Sequence, residues 1–84
     1  MGMLQLRPAE DADFVRGTVF VRLGGDAYKL IEPVRSSRDE FGYTRWRCYW
    51  LPHPDATTRQ TPVTVNADEL AGLRVWTGKL VLPR

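Results

Sequence analysis

The sequence has little of the chemistry that most catalytic and metal sites require. It contains one cysteine, Cys48, and one histidine, His53, among 84 residues. A single cysteine excludes an intramolecular disulfide and a four-cysteine zinc site within one chain. His53 stands between two prolines in a polar segment, which is typical of a solvated loop histidine. The sequence therefore predicts no metal site, no cofactor and no catalytic residue, and we expect a protein that is not an enzyme.

Long apolar runs are missing as well. No stretch approaches the roughly 18 apolar residues that a membrane-spanning helix needs, and the first residues lack the basic region and apolar core of a signal peptide. Nucleotide-binding motifs of the Gly-x-Gly-x-x-Gly and P-loop kinds are also absent from the sequence. Together with the single cysteine, these absences favour a cytoplasmic protein that is not embedded in a membrane.

The composition is that of one small globular domain covering residues 1–84. Hydrophobic residues make up 43% and charged residues 26%, with a net charge of only +2. Such a balance excludes a disordered chain and does not by itself require nucleic acid. Ten of the twelve basic residues are arginine. Arginine suits phosphates, carboxylates and aromatic rings, yet a GC-rich genome produces the same bias, and both explanations stay open.

The most informative segment is 43–51, which has four aromatic residues and two arginines among its nine positions. Such a composition predicts a β-strand, in which successive side chains point to opposite faces. One face then carries Thr44, Trp46, Cys48 and Trp50, and the other carries Tyr43, Arg45, Arg47, Tyr49 and Leu51. The first face is apolar and the second combines rings with guanidinium groups, so we expect the second to be a binding surface.

Period-two patterns predict further strands. They cover residues 14–23, 27–34, 61–65, 73–76 and 80–82. Glycines at 24–25 predict a hairpin turn, 77–78 a second turn, and 52–60 a long exposed loop. Asn66 and Glu69 have the spacing of a helix cap, which predicts one helical turn before the fifth strand. Residues 1–13 are expected to be either a flexible segment or a short helical turn.

This order of elements resembles that of small SH3-like barrels, including the Tudor, chromo and KOW types. The resemblance implies a mostly β fold, a five- to six-stranded antiparallel SH3-like barrel with one short helical turn. The alternative is an open antiparallel sheet completed by dimerisation. Because a barrel leaves fewer exposed strand edges, we favour it for so short a chain.

The predicted core follows the apolar faces of these strands. It comprises Val19, Val21, Leu23, Leu30, Trp46, Cys48, Trp50, Val63, Val65, Leu70, Leu73 and Val75. A domain of this size encloses about two tryptophans, and we expect Trp46 and Trp50 to be the buried pair. The third tryptophan, Trp76, is then expected to be exposed and available to a partner.

The arginine and tyrosine face of segment 43–51 has two possible functions, nucleic-acid binding and protein recognition, and a third interpretation assigns it no function. In the first, Arg45, Arg47, Tyr43 and Tyr49 bind nucleic acid by combining phosphate neutralisation with base stacking. Further basic residues that would extend the patch are Arg35, Arg38 and Arg59. In the third interpretation, the tyrosines pair across the sheet while the arginines lie over them in solvent.

The second function is protein recognition. Tyrosine, tryptophan and arginine dominate interface hot spots. Phe41, Tyr43 and Trp76 would then frame a pocket for an extended peptide or a cationic side chain, as the resemblance to Tudor-like domains implies. The partner would be another protein or a second copy of the chain, giving a homodimer.

Overall fold

The computed structural model describes the backbone of residues 3–81 and the side chains of residues 5–77. Eight strands account for most of its regular structure: β1 Met3–Pro8, β2 Val19–Val21, β3 Ala27–Pro33, β4 Arg38–Asp39, β5 Gly42–Tyr43, β6 Arg45–Leu51, β7 Thr61–Asn66 and β8 Arg74–Val81. Two 3-10 turns, Asp11–Asp13 and Arg35–Ser37, and one helix, α1 Ala67–Ala71, complete it.

Six strands form one antiparallel sheet in the order β1-β8-β2-β3-β6-β7, and β4 and β5 form a separate hairpin. The predicted mostly β, antiparallel fold with a single short helix is therefore confirmed. Among residues 3–81 no ladder pairs β1 with β7, so these two strands are the edges of the large sheet.

Strand β6 lies between β3 and β7, and its alternating sequence decides which side chains are enclosed. Trp46 is 7% exposed and Cys48 is fully buried, as predicted, while Arg45 and Arg47 are exposed. The enclosed side chains of β6 are part of a hydrophobic cluster that we call the inner cluster. Its buried members are Phe20, Tyr28, Leu30, Trp46, Cys48, Val65, Leu70 and Val75.

The opposite face of the sheet carries a smaller outer cluster of Val19, Val21, Ala27 and Leu51. The segment 52–60 was predicted to be an exposed loop, but part of it packs on this face. Pro54 is buried and Ala56 contacts the outer cluster. The loop therefore gives the sheet a second apolar side, and Leu51 is only 1% exposed.

The hairpin of β2 and β3 is confirmed, but the predicted strand 14–23 is much shorter. Gly17 has a φ of 93°, and the ladder begins only at Val19. At the other end the chain turns after Val21, so Leu23 is fully exposed although it was predicted to lie in the core. Phe20, which pairs with Tyr28, occupies the inner cluster in its place.

The two ends of the chain also differ from prediction. β1 pairs with β8 where a flexible segment or a helical turn was expected, and the 3-10 turn follows it at Asp11–Asp13. β8 is one continuous strand where two strands and a turn were expected, and Leu82 lies outside the described residues. α1 begins after Asn66 as predicted, but the Asn66 side chain donates and accepts no capping hydrogen bond.

Candidate functional site

The predicted binding face of β6 is only partly assembled. Arg45, Arg47 and Tyr49 share the outer face, where Tyr49 is half-buried against the outer cluster. Tyr43 lies in β5, separated from β6 by a bend at Thr44. Its ring packs edge-on against Trp46, with centroids 6.4 Å apart and planes at 80°. Tyr43 therefore belongs to the inner side of the sheet and not to the arginine face.

The charge on the outer face is mixed. The Arg47 guanidinium lies 3.9 Å from the Glu32 carboxylate, and both side chains are more than half exposed. Lys29 sits opposite Tyr49 in the β3–β6 ladder and adds one further cation. An exposed pair such as Arg47 and Glu32 contributes little to stability, but it does reduce the positive field that an anionic partner would meet.

The other predicted basic residues are dispersed. Arg38 stacks on Tyr43, with its guanidinium carbon 5.6 Å from the ring centroid. Arg35 lies in the 3-10 turn before β4, and Arg59 lies in the 52–60 loop with a φ of 60°. Both are exposed, and neither forms an ion pair with any residue that the structure describes.

A groove of about 670 Å³ lies between the β4–β5 hairpin, α1 and the chain that follows β1. We call it the aromatic groove, because four rings line it: Phe14, Phe41, Tyr43 and Trp46. Phe14 packs on Trp46 with ring centroids 6.0 Å apart. Three of the rings are thus held by mutual packing, whereas Phe41 is 90% exposed at the tip of the hairpin.

The rim of the aromatic groove is acidic. Asp11, Asp39 and Asp68 all line it. None of these carboxylates forms an ion pair within the described part of the chain. Aromatic faces are electron-rich, and a ring of carboxylates adds a negative potential, so both features favour a cation over an anion in this groove.

Ser37 holds the hairpin against the large sheet. Its buried hydroxyl donates to the Val34 carbonyl at 2.6 Å and accepts the backbone N–H of Arg45 at 3.1 Å. The Ser37 carbonyl accepts both the N–H and the hydroxyl of Thr44, at 3.0 and 2.9 Å. The Thr44 carbonyl in turn accepts the N–H of Ala67 at 2.8 Å. This chain of bonds links the hairpin, β6 and α1, which are three walls of the groove.

The hairpin turn presents Phe41 to solvent beside the groove. The Asp39 carboxylate accepts the N–H of Phe41 at 2.8 Å, which closes the turn locally. Gly42 follows with a φ of 123°, a conformation that side chains strongly disfavour. The short sequence from Asp39 to Gly42 therefore determines where the Phe41 ring lies.

Two of the residues that the sequence predicted for a pocket lie together in the aromatic groove. Phe41 and Tyr43 were predicted to frame a pocket, and they line the same groove. Trp76 does not join them, because it is half-buried against the outer cluster and not exposed as predicted. Trp50 was predicted to be buried, but it is half-buried against the inner cluster. Phe14 and the three aspartates were missed, because only the fold brings the segments around 11–14, 39–43 and 67–71 together.

Cys48 lies in the interior of the sheet, and His53 lies in the 52–60 loop. Among the residues whose side chains are described, no three His, Cys, Asp or Glu groups are placed to hold a metal ion. Burial raises the pKa of Cys48 to about 12, so its thiol stays protonated and unreactive at neutral pH. His53 Nδ1 lies 2.5 Å from the Asp55 carboxylate, and both side chains are exposed in the loop.

Within residues 3–81 no helix has the length and apolar character to cross a membrane. Comparison of the chain with protein-family models, curated proteins and solved structures produced no match.

Proposed function

We propose that this protein is a non-enzymatic binding module whose aromatic groove receives a cationic side chain of a partner protein. The observation that carries the proposal is the meeting of four aromatic rings and three aspartates around one groove, where none of the aspartates forms an ion pair with a described residue. This is the protein-interaction function that the sequence predicted as its second choice. Phe41 and Tyr43 keep their predicted place, while Phe14 and Trp46 line the groove and Trp76 does not.

Arg38 supports the proposal from within the chain. Its guanidinium carbon lies 5.6 Å from the centroid of the Tyr43 ring, so a planar cation already packs on one ring of the groove within the chain. A cation over an aromatic ring gains about 0.5–1 kcal/mol when exposed and about 2 kcal/mol when desolvated. With about 1 kcal/mol added by the exposed carboxylates at the rim, one side chain in the groove corresponds to a Kd on the order of 10 mM, which a longer partner would strengthen.

A second candidate function is nucleic-acid binding on the outer face. Its support is the exposure of Arg45 and Arg47 on one strand face, with Tyr49 beside them. We rank it second because Tyr43 is not on that face and Glu32 lies near Arg47. Replacing both arginines by glutamine should then weaken oligonucleotide binding and flatten its salt dependence, as measured by fluorescence anisotropy at two salt concentrations.

The proposal includes two finer points about the molecule. We propose that the sheet is related to the SH3-like barrels, supported by its antiparallel order and the short helix α1 before its last strand. We also propose that the protein works in the cytoplasm, supported by Cys48, whose buried thiol is free.

The test is a tryptophan fluorescence titration with a blocked pentapeptide that carries one arginine between glycines. Its counterpart with citrulline, which keeps the shape of arginine without its charge, is the matched ligand control. We expect saturable binding of the arginine peptide and at least about tenfold weaker binding of the citrulline peptide. Equal binding of the two peptides would remove the electrostatic basis of the proposal.

Two pairs of variants locate the site. Phe41→Ala should weaken binding about three- to tenfold, whereas Leu23→Ala, which removes another exposed side chain at a turn, should not. Asp68→Asn should also weaken binding, whereas Glu40→Gln removes a charge from the hairpin turn without touching the groove. Light scattering on the same samples reports whether a second copy of the chain is the partner.

A further inference from the structure

A second groove, of about 700 Å³, lies on the outer side of the sheet. Its sheet wall includes Val19, Leu51 and Trp76, which all belong to or pack against the outer cluster. The 52–60 loop forms the facing wall through Pro54 and Ala56. The two grooves share no lining residue, so a ligand in this outer groove would not depend on the aromatic groove.

Trp76, which lines this groove, carries an unsatisfied hydrogen-bond donor. Its indole Nε1 is buried and finds no acceptor in the described part of the chain. The indole of Trp50 differs, because it donates to the Asp26 carboxylate at 2.6 Å. A buried N–H without a partner costs free energy, which an oxygen atom supplied by a ligand would recover.

Lys29 gives the same groove a positive charge. It is exposed, and no carboxylate of a described residue lies within ion-pair distance of it. The other charged groups on the walls already have partners. Arg7 forms a two-pronged ion pair with Asp13, and the Asp55 carboxylate contacts the ring of His53. Lys29 is therefore the cation of this groove that is available to a ligand.

We propose that the outer groove binds a carboxylate ligand with a flat apolar body. The body lies against Val19, Leu51 and the Trp76 ring. A carboxylate oxygen accepts the Trp76 Nε1–H, and Lys29 compensates the negative charge. Because the Trp76 Nε1–H is enclosed, binding includes a small displacement of the Trp76 ring or of the 52–60 loop.

Benzoate is a suitable probe, and benzamide is its neutral counterpart. The readout is the Trp76 indole N–H resonance in a nitrogen-15 correlated NMR spectrum, assigned with the Trp76→Phe variant. We expect benzoate to move this resonance downfield and saturably, since the N–H gains an acceptor. Benzamide should bind at least about tenfold more weakly, because it cannot use the charge of Lys29.

Two variants separate this site from general attraction to the sheet. Lys29→Gln should weaken benzoate binding about tenfold, while Arg45→Gln, which removes a cation from the same sheet face outside the groove, should leave it unchanged. Circular dichroism melting confirms that both variants are folded. Equal effects of benzoate and benzamide, or shifts confined to Trp46 and Trp50, would overturn the proposal. Neither result would affect the cation site in the aromatic groove.

Discussion

Replacing Ser37 by alanine tests how the hairpin is held against the sheet. The change removes only the hydroxyl, and the backbone bonds of Ser37 to Thr44 stay in place. It deletes the bond to the Val34 carbonyl and leaves the Arg45 N–H without its acceptor. Each lost bond costs about 1 kcal/mol and an orphaned donor adds more, so we expect a loss of about 2–3 kcal/mol in unfolding free energy.

Such a loss is large for a domain of this length. At 0.05–0.15 kcal/mol per residue, the total stability is about 4–13 kcal/mol. A loss of 2 kcal/mol lowers Tm by roughly 8–16 °C in a domain of this size class. Urea unfolding followed by tryptophan fluorescence measures the change directly, because Trp46 packs on the hairpin residue Tyr43.

The neighbouring serine provides the control. Ser36 is exposed and its side chain makes no hydrogen bond with a described residue, so Ser36→Ala should change stability by less than about 0.5 kcal/mol. If Ser37→Ala were as stable as Ser36→Ala, the hydroxyl of Ser37 would not anchor the hairpin, and its hydrogen bonds would not be what holds the walls of the aromatic groove together.

Three other predictions concern stability. Leu51→Ala should cost about 2–5 kcal/mol and Leu23→Ala almost nothing in urea unfolding, because the first is enclosed under the 52–60 loop and the second is fully exposed; equal costs would mean that the loop does not pack. Hydrogen bonds from Arg7 lower the pKa of Asp13, so its contribution to stability is present above about pH 4 and lost as the pH falls further. The stability deficit of Asp13→Asn should therefore shrink between pH 5 and pH 2, and a constant deficit would contradict the ion pair. The raised pKa of Cys48, about 12, means that the unfolded thiol ionises first, near pH 8.5. Stability should fall from there toward pH 12 in the wild type and less in Cys48→Ala; equal slopes in urea unfolding would count against a buried thiol.

Local pattern predicted the strands that have a simple alternation. In β6, Trp46 and Cys48 lie inside and Arg45 and Arg47 outside, as the sequence indicates. The prediction failed where tertiary packing covers a second face. Leu51 alternates with the arginines, yet it is buried because the 52–60 loop folds back over that end of the sheet. The alternating pattern within β6 does not indicate the path of the 52–60 loop.

Turn geometry accounts for the errors near β2. In a continuous strand the valines at 15, 19 and 21 lie on the same face as Leu23, so the sequence alone favours one long strand. Gly17 adopts a positive φ and the chain turns again at Arg22, so only three residues pair. With β2 enclosed on both sides, Phe20 becomes part of the inner cluster, which a one-sided strand pattern does not indicate.

The candidate site was less accessible to prediction than the fold. Phe41 and Tyr43 could be predicted to frame a pocket, because aromatic residues dominate interface hot spots and the order of elements resembles that of Tudor-like domains. The acidic rim was not, since Asp11 and Asp68 are far apart in sequence and meet only through the packing of α1 and the chain after β1. The sequence favoured the basic strand face, because Arg45 and Arg47 lie two residues apart and alternation alone places them on one face.

The most direct test of whether the aromatic groove binds a cation is amide chemical-shift mapping of the arginine pentapeptide on the nitrogen-15 labelled protein. We expect shifts concentrated in Phe41–Thr44 and in α1, with the outer-face residues Arg45 and Arg47 changing little. The citrulline peptide at the same concentration should produce much smaller shifts. Shifts centred on the outer face of β6, or equal shifts with both peptides, would contradict the assignment of the aromatic groove as the binding site.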